Sequence, residues 1–134
     1  MNADFNKEVS LIIEKDPRYK ADAYEFVMQA LNLTQKDLKR KGHVSGIELL
    51  KGIRKLGLDQ FGPMTRTVFY NWGIRKTDDF GSIVFNMIDS GLMSKNEQDT
   101  LLDFKDVYDF ETALNVFDAD FKIKKEDESK DLLS

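Results

Sequence analysis

The clearest helical pattern in the chain lies at residues 77–92, TDDFGSIVFNMIDSGL. Its apolar side chains recur every three or four residues, which places them on one face of an α-helix. Thr77 is a favourable N-cap, and the two aspartates that follow it suit the positive end of the helix dipole. Gly91 predicts the end of the helix, because glycine readily adopts the left-handed backbone that stops one. The sequence therefore predicts a helix over residues 77–90. Its apolar face consists of Phe80, Ile83, Val84, Met87 and Ile88.

The same period continues on both sides of this segment, so helices dominate the predicted fold. Ser45 and Glu48 stand three residues apart in the capping-box pattern that starts a helix. Pro17 suits the first turn of a helix, and Gly42 suits the end of one. We therefore expect an all-α, single-domain bundle of five to seven helices. Besides 77–90, the predicted helices cover residues 3–15, 17–39, 45–58, 63–72, a short segment from 94, and 108–118.

The order of helix 63–72, connection 73–76 and helix 77–90 resembles a helix-turn-helix. With helix 45–58 in front, the three helices resemble a winged-helix core. The second helix of such a pair would enter the major groove of DNA. Its outward side chains include carboxylates but no lysine or arginine, which disfavours contact with phosphates. These outward residues are Asp78, Asp79, Ser82, Asn86 and Asp89.

The 134 residues divide by charge into two unequal parts. Residues 1–96 hold 15 Lys and Arg against 12 Asp and Glu, a net of +3, whereas residues 97–134 hold 5 against 12, a net of −7. We expect one helical domain over residues 1–118, followed by an acidic, partly disordered tail over residues 119–134. A further hypothesis is that this tail folds back on the basic region 36–55 and shields it.

The composition excludes several kinds of chemistry. The chain has no cysteine, which excludes disulfides, thiolate metal sites and cysteine nucleophiles, and its single histidine, His43, excludes a multi-histidine metal site. Apolar runs are too short for a membrane span and no signal-peptide pattern is present, so we expect a cytoplasmic protein with no membrane partner. The sequence predicts no catalytic, metal-binding or cofactor-binding residue and no cofactor. Enzymatic activity is disfavoured but left open.

A run of basic residues indicates a possible contact for an anion or an acidic partner. The loop over residues 40–45 leads into a helix N-terminus, where free backbone N–H groups attract anions. The alternative is a solvated loop, because Ser45 and Glu48 already satisfy the first backbone donors of that helix. The candidate anion or partner contacts are Lys39, Arg40, Lys41, His43 and Arg54.

Three aromatic residues fall off the apolar stripes that we assign to the core: Phe69, Tyr70 and Phe85. Core packing explains most of the aromatic residues in this part of the chain. If one or two of these three are exposed, they form an aromatic contact surface of the kind found at protein interfaces.

Several motifs, occurring in order along residues 17–114, resemble those of a family of small uncharacterised bacterial proteins, a domain of unknown function. The resemblance implies no activity, substrate or site residue. The motifs include Arg18-Tyr19-x-x-Asp22-Ala23-Tyr24, His43-Val44-Ser45-Gly46-x-Glu48-Leu49-Leu50, Gln60-Phe61-Gly62-Pro63-Met64, Trp72-Gly73-Ile74, Asp79-Phe80-Gly81-x-Ile83-Val84-Phe85-Asn86 and Asp106-Val107-Tyr108-Asp109-Phe110.

The sequence favours a non-catalytic protein-interaction module with an unknown protein partner. The first alternative is a nucleic-acid-associated or regulatory winged-helix-like protein that binds through Lys39, Arg40, Lys41 and Arg54. Nucleic acid is the less favoured partner, because the sequence pI is near 5.0 and nucleic-acid-binding domains are usually basic. The second alternative is a binder of small anions or nucleotides at residues 40–46.

Overall fold

The computed structural model describes residues 3–94, 100–116 and 123. Five helices of seven or more residues occur in these ranges: α1 (Ala3–Lys15), α2 (Ala21–Asp37), α3 (Gly46–Phe61), α4 (Thr65–Asn71) and α5 (Thr77–Asp89). A four-residue helix, α6 (Phe110–Ala113), and two 3-10 turns, Gly62–Met64 and Leu101–Phe104, complete the described elements. No β-strand occurs in the described ranges. The prediction of an all-α, single-domain fold is confirmed.

Helix α5 packs against α1, α2, α3 and the 3-10 turn at Leu101–Phe104. The side chains of Phe80, Ile83 and Met87 on its apolar face are fully buried. The helix ends as predicted, because Gly91 has a positive φ of 84° and the backbone N–H of Leu92 donates to the Met87 carbonyl at 2.9 Å.

The start of α5 differs from the prediction, because the N-cap is Lys76 and not Thr77. Thr77 is fully buried, and its hydroxyl donates to the Phe104 carbonyl at 2.7 Å and accepts from the Val107 backbone N–H at 3.0 Å. The Asp79 carboxylate instead accepts the backbone N–H groups that precede the helix, those of residues 75 and 76, at 2.8 and 3.2 Å. Thr77 therefore joins α5 to the chain that follows the 3-10 turn.

The Phe104 side chain lies between α3 and α5, where it packs against Gly46 and Gly81. A Cβ atom at Gly81 would stand 2.8 Å from the Phe104 Cβ, and one at Gly46 would stand 3.3 Å from the Phe104 ring. Both glycines therefore allow a close approach that a larger residue would prevent. Phe104 thereby covers the core at the N-terminal end of α5.

Helix α2 is shorter than predicted at both ends. It begins at Ala21, because residues 16–20 form a turn in which the Lys20 backbone N–H donates to the Trp72 carbonyl at 3.1 Å. It ends at Asp37, and Lys39, not Gly42, adopts the left-handed conformation with a φ of 53°. The predicted capping box of α3 is present, since Ser45 and Glu48 exchange hydrogen bonds of 2.9 and 3.1 Å.

Three predictions fall wholly or partly outside the described residues. Most of the short helix expected from residue 94 and the last two residues of the helix expected over 108–118 lie there. Within the described ranges the latter is the single turn α6, which begins at Phe110. The acidic tail 119–134 also lies outside them, apart from Ile123, whose side chain is buried at 8% exposure. The self-shielding hypothesis for this tail stays a prediction.

Candidate functional site

A group of partly exposed apolar side chains surrounds a pocket of about 360 Å³ between α2, α5 and the loop over residues 41–44. We call it the apolar pocket. Buried side chains such as Val84 and Phe104 also line it. Its walls come from five apolar residues that pack on the core without being buried by it: Leu31, Phe85, Ile88, Leu92 and Met93.

The rim of the apolar pocket is polar and basic. Lys41 and His43 are exposed there, and Gln35 reaches across from α2. The Gln35 side-chain amide donates to the Gly42 carbonyl at 2.9 Å, which ties the 41–44 loop to the end of α2. The loop that carries Lys41 and His43 is therefore held in place by a side chain that lines the same pocket.

The structure brings together residues from both sets of sequence candidates. Lys41 and His43 come from the predicted anion contacts, Phe85 comes from the predicted interface aromatics, and all three line the apolar pocket. Phe85 is half-buried, so part of its side chain is exposed at the pocket. A basic rim and an aromatic wall therefore meet at one place.

A strip of cations adjoins the apolar pocket. We call it the basic strip; with Gln35 it lines an open cleft of about 460 Å³. Gln35 and Lys41 line both the cleft and the apolar pocket, so the two features are continuous. The residues of the basic strip are Lys36, Lys39, Arg40 and Lys41.

Arg40 is the member of the basic strip with a carboxylate partner in the described residues. Its guanidinium donates to the Glu48 carboxylate at 2.8 Å and to the His43 carbonyl at 3.4 Å. The hydrogen bond from Arg40 lowers the pKa of Glu48, and the same bond raises the pKa of Arg40. Glu48 also accepts the Ser45 backbone N–H. The N-terminus of α3 is thus already occupied by a carboxylate, which disfavours a phosphate site there.

Arg54 does not belong with the other predicted anion contacts. Its side chain is half-buried, and its Nε donates to the Ala113 carbonyl in α6 at 2.7 Å. The neighbouring Tyr108 hydroxyl donates to the Leu50 carbonyl at 2.7 Å, and burial raises the pKa of Tyr108. Arg54 therefore joins α3 to α6 and does not lie with the basic strip.

The prediction that Phe69 could be an interface aromatic is wrong. Its ring is fully buried, with centroids 5.5 Å from Phe26, 5.2 Å from Phe80 and 5.9 Å from Phe110. The reason is the rotation of α4: the Thr65 hydroxyl bonds the Gly57 and Gly62 carbonyls, which turns residues 65 and 69 inward. Phe69 belongs to the core and contributes to no surface.

Tyr70, the remaining aromatic candidate, is 59% exposed. It lies on α4 and does not line the apolar pocket. The Arg75 guanidinium lies 4.8 Å from the centroid of its ring, a cation–π contact at the protein surface. Tyr70 and Phe85 therefore occupy different surfaces, and the three aromatics do not form one patch.

The polar face of α5 is turned towards α2 and the turn over residues 16–20 that precedes it. The Tyr19 hydroxyl donates to Asp79 at 2.7 Å, and the Asn86 amide donates to Asp16 at 2.9 Å and to the Tyr24 hydroxyl at 3.1 Å. Burial and the Asp79 bond raise the pKa of Tyr19, and the bond from Arg18 holds the pKa of Asp16 well below its usual range. Since these groups bond one another, they offer little to a DNA groove. The helix-turn-helix and winged-helix interpretations stay predictions.

Sequence reasoning singled out neither Gln35 nor Met93 as a site residue, and it did not select Leu31 or Leu92 either. The adjacent Leu92 and Met93 after a helix stop are the one local signal that could have indicated an unfinished apolar surface. Within the described ranges, no group of three or more His, Cys, Asp or Glu residues is placed to hold a metal ion. None of the described helices combines the length and the hydropathy that a bilayer crossing requires.

The chain matches no protein-family model, no curated protein and no solved structure. The resemblance to a bacterial family therefore rests on the sequence motifs alone.

Proposed function

We propose that this chain is a non-catalytic protein-interaction module and that the apolar pocket is its contact surface. The observation that supports this most is the meeting of Lys41, His43 and Phe85, candidates from two separate sets, at one pocket. Membership of the bacterial family with a domain of unknown function, and action in the cytoplasm, belong to the same proposal.

The composition of the pocket suits a protein partner. Interface cores are enriched in aromatic residues and methionine and carry a polar rim, and binding energy concentrates where such side chains fill pockets. Phe85 and Met93 supply the core chemistry here, and Gln35, Lys41 and His43 supply the rim.

Nucleic acid is the second candidate partner, and the basic strip is the observation that favours it. In that case binding would come from Lys36, Lys39 and Lys41 on phosphates and would weaken steeply with salt. The apolar pocket would have no role in phosphate contact. The two candidates therefore differ in which residues matter and in their response to ionic strength.

Site-specific photo-crosslinking in lysate of the source organism tests the proposal. A photoreactive amino acid at position 93 marks the pocket, and the same amino acid at the exposed position 11, on α1, is the matched control. We expect a discrete protein crosslinked from position 93 alone, insensitive to nuclease. A crosslink to nucleic acid, or equal crosslinking from both positions, would contradict the proposal.

A further inference from the structure

We infer that the apolar pocket and the basic strip together bind an acidic peptide segment of a partner protein that carries one or two bulky apolar side chains. This inference rests on the proposed function and names the chemistry of the partner. Its first support is continuity, since Gln35 and Lys41 line both the pocket and the cleft of the strip. One ligand can therefore contact an apolar cavity and a row of cations at the same time.

The charge of the strip selects an anionic ligand. Lys36, Lys39 and Lys41 are exposed, and among the described residues no carboxylate forms an ion pair with them. The nearby Lys55, by contrast, pairs with Asp37 at 3.0 Å. A segment that places two or three carboxylates along the strip would gain complementary contacts that speed association and reject basic competitors.

The pocket requires an apolar anchor on the same ligand. Its volume of about 360 Å³ lies at the small end of the range of about 300–1,000 Å³ seen for ligand sites, room for a few side chains. Leu31, Ile88 and Met93 present aliphatic or thioether groups there, and methionine adapts its shape to different anchors. A free phosphate or a phosphodiester backbone has no group that would displace water from such a cavity.

The loop at the junction of the two features is already ordered. The Gln35 amide holds the Gly42 carbonyl, and Arg40 bridges Glu48 and the His43 carbonyl. These bonds fix the backbone between the strip and the pocket before a ligand arrives, which lowers the entropic cost of binding. The open side of the loop is accessible, since no atom outside residues 41–43 lies within 4 Å of the position of a Cβ at Gly42.

Fluorescence anisotropy on the full chain with four labelled synthetic peptides tests this inference. The reference peptide has a Leu-Phe pair flanked on each side by three acidic residues. The others have a Ser-Ser pair in place of Leu-Phe, lysine in place of the acidic residues, or both changes. We expect the reference peptide to bind at least about tenfold more tightly than each of the others, since both the anchor and the charge contribute. Equal binding of the two acidic peptides, or of the two Leu-Phe peptides, would overturn the inference.

Matched variants of the full chain place the peptide on the structure. Met93→Gln should weaken the reference peptide about tenfold, whereas Met64→Gln, the same change at a methionine 56% exposed elsewhere, should leave it unchanged. Lys39→Glu combined with Lys41→Glu should weaken it at least as much, and Lys7→Glu on α1 should not. Amide chemical-shift changes in a labelled sample should centre on residues 35–44 and 85–94. Changes centred elsewhere would overturn the assignment.

Other ligands at the apolar pocket or the basic strip would give different results in these experiments. A full chain with Glu126→Gln, Asp127→Asn and Glu128→Gln that binds the reference peptide at least about tenfold more tightly would assign the site to the chain's own acidic segment and overturn the inference. Binding of oligo-dT in place of the peptide, lost with Lys39→Glu and Lys41→Glu, would assign the strip to nucleic acid. A crosslinked partner whose contacting segment is neutral or basic would leave the proposed function standing and remove this inference alone.

Discussion

Helix α5 has two contrasting faces. On one, Asp79 and Asn86 bond Tyr19, Asp16 and Tyr24, so the polar side chains are satisfied within the molecule. On the opposite face, the helix is buried near its start but leaves Phe85 and Ile88 only partly covered further along. The first face is closed by hydrogen bonds to α2 and to the turn over residues 16–20, and the second ends in the apolar pocket.

The two faces of α5 therefore differ in role: the hydrogen-bonded face stabilises the fold, and the face that ends in the apolar pocket is the candidate binding surface. A polar group that is buried without a partner costs about 1–3 kcal/mol, so the closed face needs its full set of bonds for stability. A partly exposed apolar side chain carries no such penalty and remains available for a partner. We therefore expect changes in the core to affect folding most, changes on the closed face to affect it less, and changes at the pocket to affect binding most.

The largest expected effect comes from the core on which α5 packs. Phe69→Ala should lower the free energy of unfolding by about 3–5 kcal/mol, because it removes a fully buried ring in contact with Phe26 and Phe80. Tyr70→Ala, at the adjacent exposed position, should change it by less than about 0.5 kcal/mol. Chemical denaturation of both variants checks this. Similar losses in the two variants would mean that α4 is rotated differently.

Thr77 provides a second test on the buried side of α5. Thr77→Val should destabilise the fold by about 3 kcal/mol, because the Phe104 carbonyl and the Val107 N–H would both lose a buried partner. Thr77→Ser keeps the hydroxyl and should lose less, since its main change is one missing methyl group. Thermal unfolding of the pair gives the comparison. Equal losses from valine and serine would show that packing, not the hydroxyl, holds residues 104–107 to α5.

These cases show which features the sequence could specify. The helical period and the capping signals predicted the existence of the helices, the capping box at Ser45 and the stop at Gly91, because these depend on residues within one turn. The rotation of α4 could not be predicted in this way. It depends on bonds from Thr65 to the Gly57 and Gly62 carbonyls, which turn Phe69 into the core although it falls off the apolar stripes.

The candidate site was predictable in its parts but not as a whole. Lys41, His43 and Phe85 were chosen for their residue type and for their place outside the core stripes. Their meeting depends on the packing of α5 against α2, which brings residues about 40 positions apart to one pocket. Arg54 was included among the anion contacts because it is basic and close to them in sequence. Its bond to the Ala113 carbonyl depends on tertiary packing, which the sequence pattern does not show.

The closed face also predicts a dependence on pH. Arg18 holds the pKa of Asp16 below its ordinary value, so the folded protein binds this proton less readily than the unfolded chain. The stabilisation is therefore fully present above the ordinary pKa of about 4 and is lost as pH falls through the lower folded value. Asp16→Asn should cost about 1 kcal/mol near neutral pH, a value reduced by the exposure of Arg18, and progressively less below pH of about 4.

Denaturation of the wild type and of Asp16→Asn at a series of pH values measures this difference. Asp89→Asn is the matched control, because Asp89 is an exposed carboxylate on α5 that lines the same surface cleft as Asp16. Near neutral pH its free energy of unfolding should lie closer to that of the wild type than that of Asp16→Asn does. A gap between wild type and Asp16→Asn that stays constant into strong acid would show that the introduced amide disturbs packing and that the charge has no stabilising role.

The smallest effect on stability should occur at the open face. Met93→Gln should change the free energy of unfolding by less than about 1 kcal/mol, because the side chain is only partly buried and glutamine has a similar length. Lys41→Glu, fully on the surface, should change it by less than about 0.5 kcal/mol. The same denaturation measurements used for Phe69→Ala apply here. If Met93→Gln instead unfolded the protein as strongly as Thr77→Val, the apolar pocket would be part of the core, and the contrast between the two faces of α5 would fail.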